Sequence, residues 1–158
     1  MEQSFNSTPL TPLHLRDVLA VGYVDGVDSA LVTSGVGEHY SLRAILDNED
    51  ATLRGFELKR LLKTSVPNWT HLQFAPSNSG QLIRWWRADA SNESFEELQK
   101  QLENAAFDEY LVGIADPFTL SGLVTRLITP EVEAVIKAGG RNLEDYFERL
   151  FVERTTAR

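Results

Sequence analysis

The chain predicts an α+β domain: one two-layer unit with a mostly antiparallel sheet and a helical C-terminal third, in the order βββ-α-ββ-α-β-ααα. Three observations carry this. Short apolar runs alternate with turn signals before residue 48, helix caps cluster after residue 92, and strands and helices do not alternate as they do in a doubly wound fold. The expected sheet has about six strands, matching the number of apolar runs bounded by turn residues.

Met1–Pro12, with asparagine, serine, threonine and two prolines, reads as a flexible N-terminal arm, leaving 13–158 as one domain. Arg16 to Val24 reads as a strand, Asp25-Gly26 as a turn, and Ser29 to Thr33 as a second strand. Ser34-Gly35-Val36-Gly37 turns the chain into a third strand from His39 to Leu46, and a glycine turn is a better account of that run than a dinucleotide loop. From Leu53 to Lys63 a helical period fits: Leu58, Leu61 and Leu62 share one side, while Phe56, Lys59, Arg60 and Lys63 share the opposite arc. Val66-Pro67 stops it, because the residue before a proline is pushed out of the helical region. Trp69 to Phe74 and Gln81 to Arg87 then form a hairpin around Pro76–Gly80.

Ser94-Phe95-Glu96-Glu97 is a capping box that opens a helix with Phe95, Leu98, Leu102, Ala105 and Ala106 on its apolar stripe. Tyr110 to Ala115 is a short apolar strand. Asp116-Pro117 and Thr129-Pro130 each place a capping side chain before a proline, so two short helices are expected there, the second ending at Gly139-Gly140. Asn142 with Asp145 caps a last helix that turns Leu143, Phe147, Leu150 and Phe151 inward.

At 158 residues with 42% hydrophobic and 24% charged side chains, the composition is that of a single folded domain able to bury a core without staples. The absence of cysteine excludes disulfides, thiolate catalysis and thiolate metal sites, and with no secretion signal at the N-terminus the expected location is the cytoplasm. No run of about 20 apolar residues crosses a membrane.

Charge is uneven along the chain. Residues 1–50 carry a net charge of −6 and residues 88–158 one of −7, but 51–87 carry +5 and hold all three tryptophans. A net charge of −8 repels polyanions at long range, which makes nucleic acid an improbable partner in bulk. The basic, aromatic middle segment still suits a local anionic surface. On a strand, Gln81, Ile83, Trp85 and Arg87 face one way and Leu82, Arg84 and Trp86 the other, so one tryptophan is expected on an open face beside an arginine.

Signatures of P-loop, zincin, hydrolase and kinase sites are missing. The glutamates 93, 96 and 97 are explained as a capping cluster, and the three histidines lack metal-ligand spacing, so no catalytic, cofactor or metal residue is assigned. The leading reading is therefore a non-enzymatic protein-binding module, an adaptor, inhibitor or chaperone-like chain. It docks an acidic partner protein through Phe56, Lys59, Arg60, Lys63, Arg84, Trp85, Trp86 and Arg87. A first alternative is a small enzyme or small-molecule binder using His39, Tyr40 or His71; a second is a weak binder of single strands or nucleotides. The apolar last helix offers a homodimer seam as an alternative to a core position.

Overall fold

In a computed structural model, residues 10–67, 74–77, 84–88, 93–130, 133–134 and 143–156 are described, with backbone alone for 74–77, 84–88, 93–95 and 154–156. The elements are β1 (Thr11–Pro12), β2 (Leu15–Tyr23), β3 (Val27–Ser34), β4 (His39–Asp47), β5 (Arg54–Leu61), β6 (Phe74–Ser77), β7 (Arg84–Ala88), α1 (Glu93–Asn104), β8 (Phe107–Ala115), β9 (Val124–Leu127) and α2 (Leu143–Thr156). They form a nine-stranded sheet in the order β1-β9-β8-β5-β4-β3-β2-β7-β6. Every pairing is antiparallel except β2 with β7. The α+β class, the antiparallel sheet and the C-terminal helix are as the sequence predicts.

The sheet curls. Only Leu13 and His14 separate β1 from β2, yet β1 pairs with β9 and β2 with β3, so the chain itself joins the two ends of the run β9-β8-β5-β4-β3. Leu13 N donates to Leu123 O (3.0 Å) and Gly35 N to His14 O (2.8 Å), closing both sides of that seam. Side chains alternate along each strand, and the set pointing into the curl is apolar: Val18, Ala20, Ala30, Val32, Tyr40, Leu42, Phe56, Leu58, Leu111 and Ala115. Small residues sit beside large ones in the same cross-strand row; Ala44 and Gly113 flank Phe56, which is fully buried. That alternation gives the sheet room to bend over its own core.

Both helices pack on the outer face. Leu98 and Leu102 of α1 meet Leu19, Val21, Leu31 and Leu61, while Tyr146, Phe147, Leu150 and Phe151 of α2 meet Val112 and Ile114. Gly55 lies directly under the Phe147 ring. The last helix is thus a core helix, with Val152 left exposed and no partner copy needed to cover the inward residues.

Several expectations are corrected: the sheet has nine strands among the described residues where about six were expected, and Thr11–Pro12, counted with the N-terminal arm, pair with β9 as β1. Residues 54–61 are a strand, not a helix, and β5 sits in the middle of the sheet between β4 and β8. Its true period is two: Phe56 and Leu58 face the interior and Gly55, Glu57, Lys59 and Leu61 face outward. Asp116-Pro117 caps a tight turn instead of a helix. Asp116 Oδ1 accepts from Phe118 N (2.7 Å) and Thr119 N (3.0 Å), and Leu120 and Gly122 then adopt positive φ (57° and 68°), which returns the chain as the unexpected strand β9. Pro76 and Ser77, expected in a turn, are in β6, and the loop of that hairpin lies outside the described residues. At Thr129-Pro130 the expected turn of helix begins, with Glu133 N donating to Thr129 O (3.0 Å); its glycine stop lies outside the described residues.

Candidate interaction surface

A curled sheet with helices on its outer wall leaves its two ends open. At one end β3 finishes, β4 begins, β5 finishes and β8 begins. Here Val36, Gly37, Glu38, His39, Arg60, Leu61, Leu62, Lys63, Val66 and Asp108 line a surface groove of about 590 Å³. Its rim is apolar: Val36 is 83% exposed and Leu62 38%.

Arg60 forms the floor. Its guanidinium makes a two-toothed contact with Asp108 (Nε–Oδ1 2.9 Å, Nη2–Oδ2 3.0 Å), and Nη1 reaches Glu38 Oε2 at 3.3 Å and Glu109 Oε1 at 3.5 Å. The hydroxyl of Tyr40 donates to Glu38 Oε1 (3.1 Å). Hydrogen bonding to Asp108 raises the pKa of Arg60 and lowers that of Asp108, so both stay charged. One cation is thereby surrounded by three carboxylates, and it has little positive field left for an outside anion.

His39 and Tyr40, neighbours in β4, point to opposite faces. The ring of His39 lies in the groove with Nδ1 3.1 Å from Thr33 Oγ1, opposite it on β3. Partial burial lowers the His39 pKa, Arg16 lowers it further and Asp17 opposes both, so the ring is neutral at pH 7. Tyr40 is buried in the core, and burial, with the charge of Glu38, pushes its phenol up to about 12. It is a hydrogen-bond donor at neutral pH. His71 lies outside the described residues, so the expected His39–Tyr40–His71 set is not brought together among them.

The expected cationic arc does not exist as a single face. Phe56, placed on an exposed helix surface, is in the interior because β5 alternates. Lys59 and Arg60 are on opposite faces of β5, and Lys63 is exposed in a short 3-10 turn, Lys63–Ser65, at the groove. Arg84, Trp85, Trp86 and Arg87 lie on β7 in register with Asp17, Val18, Leu19 and Ala20; their side chains are outside the description.

An aromatic residue does stand beside these cations, and it is Phe107. It opens β8 opposite Leu61, is 42% exposed, and has Lys59 Nζ 5.0 Å from its ring centroid. Leu62 N donates to Ala106 O (3.0 Å), which ties this strand start to the groove. Among the described residues the nearby arginines are paired, Arg43 with Glu57 (2.8 Å) and Arg60 with Asp108 (2.9 Å). Lys59 and Lys63 have no ion-pair partner among the described residues. Phe107 was not singled out from sequence because the strand was expected to begin at Tyr110, and nothing in Asn104-Ala105-Ala106-Phe107 marks the ring as exposed.

A second basic and aromatic cluster is buried. Arg126 on β9, 2% exposed, donates to Tyr146 Oη (3.3 Å) and pairs with Glu153, on the helix whose Phe147 and Phe151 rings lie 6.3 Å apart at a tilt of 35°. It fixes α2 to the sheet. Among the described residues no group of three metal-ligating side chains occurs, and no helix is long and apolar enough to cross a membrane. No family model, no curated protein and no solved structure matches this chain.

Proposed function

We propose that the chain is a non-enzymatic protein-binding module and that its contact surface is the groove end of the curled sheet. Phe107, Leu62 and Val36 are the apolar anchors, and Lys59 and Lys63 receive acidic side chains of the partner. The observation that carries the reading is the Lys59–Phe107 pair, an exposed ring under a cation beside a groove edged by the exposed Val36 and Leu62. Aromatic anchors ringed by charge are where binding energy concentrates at protein interfaces, and lysines at a rim speed the approach of an acidic partner. Arg84, Trp85, Trp86 and Arg87 on β7 are proposed as further contacts. A phosphate-bearing ligand is not proposed for the groove floor, where Glu38, Asp108 and Glu109 surround Arg60; the partner's acidic side chains are placed on Lys59 and Lys63, away from those carboxylates.

The test is quantitative capture from a native extract with the wild type and with a Lys59→Glu/Lys63→Glu/Phe107→Ser variant shown to be folded by circular dichroism. At least one protein should be recovered on the wild type, at about tenfold lower yield on the variant and at lower yield in 0.5 M salt, where screening is nearly complete. Equal recovery of every captured protein on both baits refutes the reading.

A further inference from the structure

The opposite end of the curled sheet is built from three loops, 23–28, 47–53 and 116–122, and it is chemically the reverse of the groove end. Two of these loops are locked together. Val27 N donates to Pro117 O (2.7 Å), and Gly26, at φ 119°, lies so close that a Cβ there would meet Pro117 Cβ at 2.7 Å. The third loop is locked to the first through Arg54. This guanidinium, in a residue only 7% exposed, pairs with Asp47 and donates to Val24 O (3.2 Å), Asp25 O (3.2 Å) and Val27 O (3.0 Å).

What this clamp presents is apolar. Val24 is 64% exposed and Phe118 55%, and Tyr23, next to Val24 in the chain, is 39% exposed. Loop tips ordinarily carry small or polar residues, and a large side chain fixed outward on a hydrogen-bonded frame loses little entropy when it is covered. The loops that carry these side chains hold charge of one sign: Asp25, Asp28, Asp47, Glu49, Asp50 and Asp116 and no lysine or arginine, and the guanidinium of Arg54, which ties two of the loops together, is buried and paired.

We infer that this end is a second contact surface, which seats Val24 and Phe118 in an apolar cleft of another protein whose rim carries lysine or arginine. The acidic collar matches such a rim and rejects an acidic one, just as it rejects an anionic lipid surface. The inference is independent of the groove reading, because no residue is shared between the two ends.

The test places a photo-crosslinking amino acid in the full chain at Val24, at Phe118 and, as a control, at the exposed Gln101 of α1. Irradiation is done in native extract at 0.05 and 0.5 M salt. The same protein adduct should form from positions 24 and 118 but not from 101, and should fall at least fivefold at the higher salt. It should fall similarly in an Asp25→Asn/Glu49→Lys background; asparagine is chosen because position 25 has φ 49°, a conformation it tolerates. Identification of the adduct should show a lysine- or arginine-rich contact peptide. Overturning results are no shared adduct, an adduct equally strong from 101, a yield insensitive to salt and to the charge variants, an adduct with a second copy of this chain, or an adduct with phospholipid.

Discussion

Gly55→Ala should destabilise the fold by about 2 kcal/mol, although alanine favours strands over glycine. A Cβ built on Gly55 would lie 2.7 Å from Phe147 Cε1 and 2.8 Å from Cγ, with Cδ1 closer still. Carbon atoms in contact sit about 3.5–4.0 Å apart, so the ring must withdraw by roughly 1 Å. It has nowhere to go: Phe147 is fully buried, with the Tyr146 and Phe151 ring centroids 6.4 and 6.3 Å away. A displacement of that size in a tight core belongs at the upper end of the overpacking range, about 3 kcal/mol, and removing glycine's extra freedom in the unfolded chain returns about 0.4–1 kcal/mol, which leaves about 2 kcal/mol. The midpoint of thermal unfolding should drop by about 4–8 °C for a domain of this size. Urea unfolding followed by circular dichroism, on Gly55→Ala, Phe147→Leu and the double variant, isolates the contact. The smaller leucine should relieve the clash, giving a favourable coupling of at least ~1 kcal/mol. A Gly55→Ala variant as stable as wild type, or single changes that add to within about 0.5 kcal/mol, would refute the close approach of α2 to β5.

Arg54→Met removes the clamp on the 23–28 turn and leaves three carbonyl oxygens and Asp47 without their donor; by analogy with broken buried pairs it should cost about 3 kcal/mol in urea unfolding. Asp47→Asn, at a side chain 40% exposed, should cost clearly less, and the reverse order would contradict the burial of the guanidinium. His39 makes stability depend on pH. Its folded-state pKa is below the ordinary 6.5, so the unfolded chain takes up the proton first, and stability is lost as pH falls from 6.5 through the folded value. His39→Gln should flatten that part of the curve measured from pH 7.5 to 5; an unchanged slope would remove His39 as its source.

The elements that local chemistry defines were legible in the sequence. The β2–β3–β4 meander shows in the Asp25-Gly26 and Ser34–Gly37 turns, and α1 and α2 show in their caps and apolar stripes. What escaped depends on residues far apart in the chain. In β5 the interior buries Phe56 and Leu58, while α1 covers Leu61 and α2 covers Gly55 on the other face, so neither face is cleanly polar and the leucines at 58, 61 and 62 fit a helical period equally well. In β9 the buried residues are Thr125 and Arg126, and the Glu153 partner of Arg126 lies on another element, so the strand lacks the apolar run that would announce it. The cations at 59, 60 and 63 were visible as a group, but the two faces of β5 separate Lys59 from Arg60, Lys63 falls in the turn beyond the strand, and Phe107 becomes the neighbour of Lys59 only through the β5–β8 register.

The closed wall also explains where this chain can make contacts. One face of the sheet is consumed by its own interior, and α1 and α2 occupy much of the other, so among the described residues the exposed large apolar side chains, apart from Val152 on α2, gather at the ends: Val36, Leu62 and Phe107 at one, Tyr23, Val24 and Phe118 at the other. Arginine and lysine serve different purposes in that plan. Arg54, Arg60 and Arg126 are fixed by carboxylates that close a turn, a groove floor and a helix seat, tasks that suit a planar, multidentate cation. Lys59 and Lys63 carry no such structural pairing among the described residues, and a solvated ammonium at a rim can be recruited by a partner without dismantling the fold. A net positive segment in sequence therefore does not become a positive surface of the same size. Its two arginines with described side chains, Arg54 and Arg60, are neutralised by the carboxylates around them, and Lys59 and Lys63 are the cations left for an acidic partner in the proposed reading.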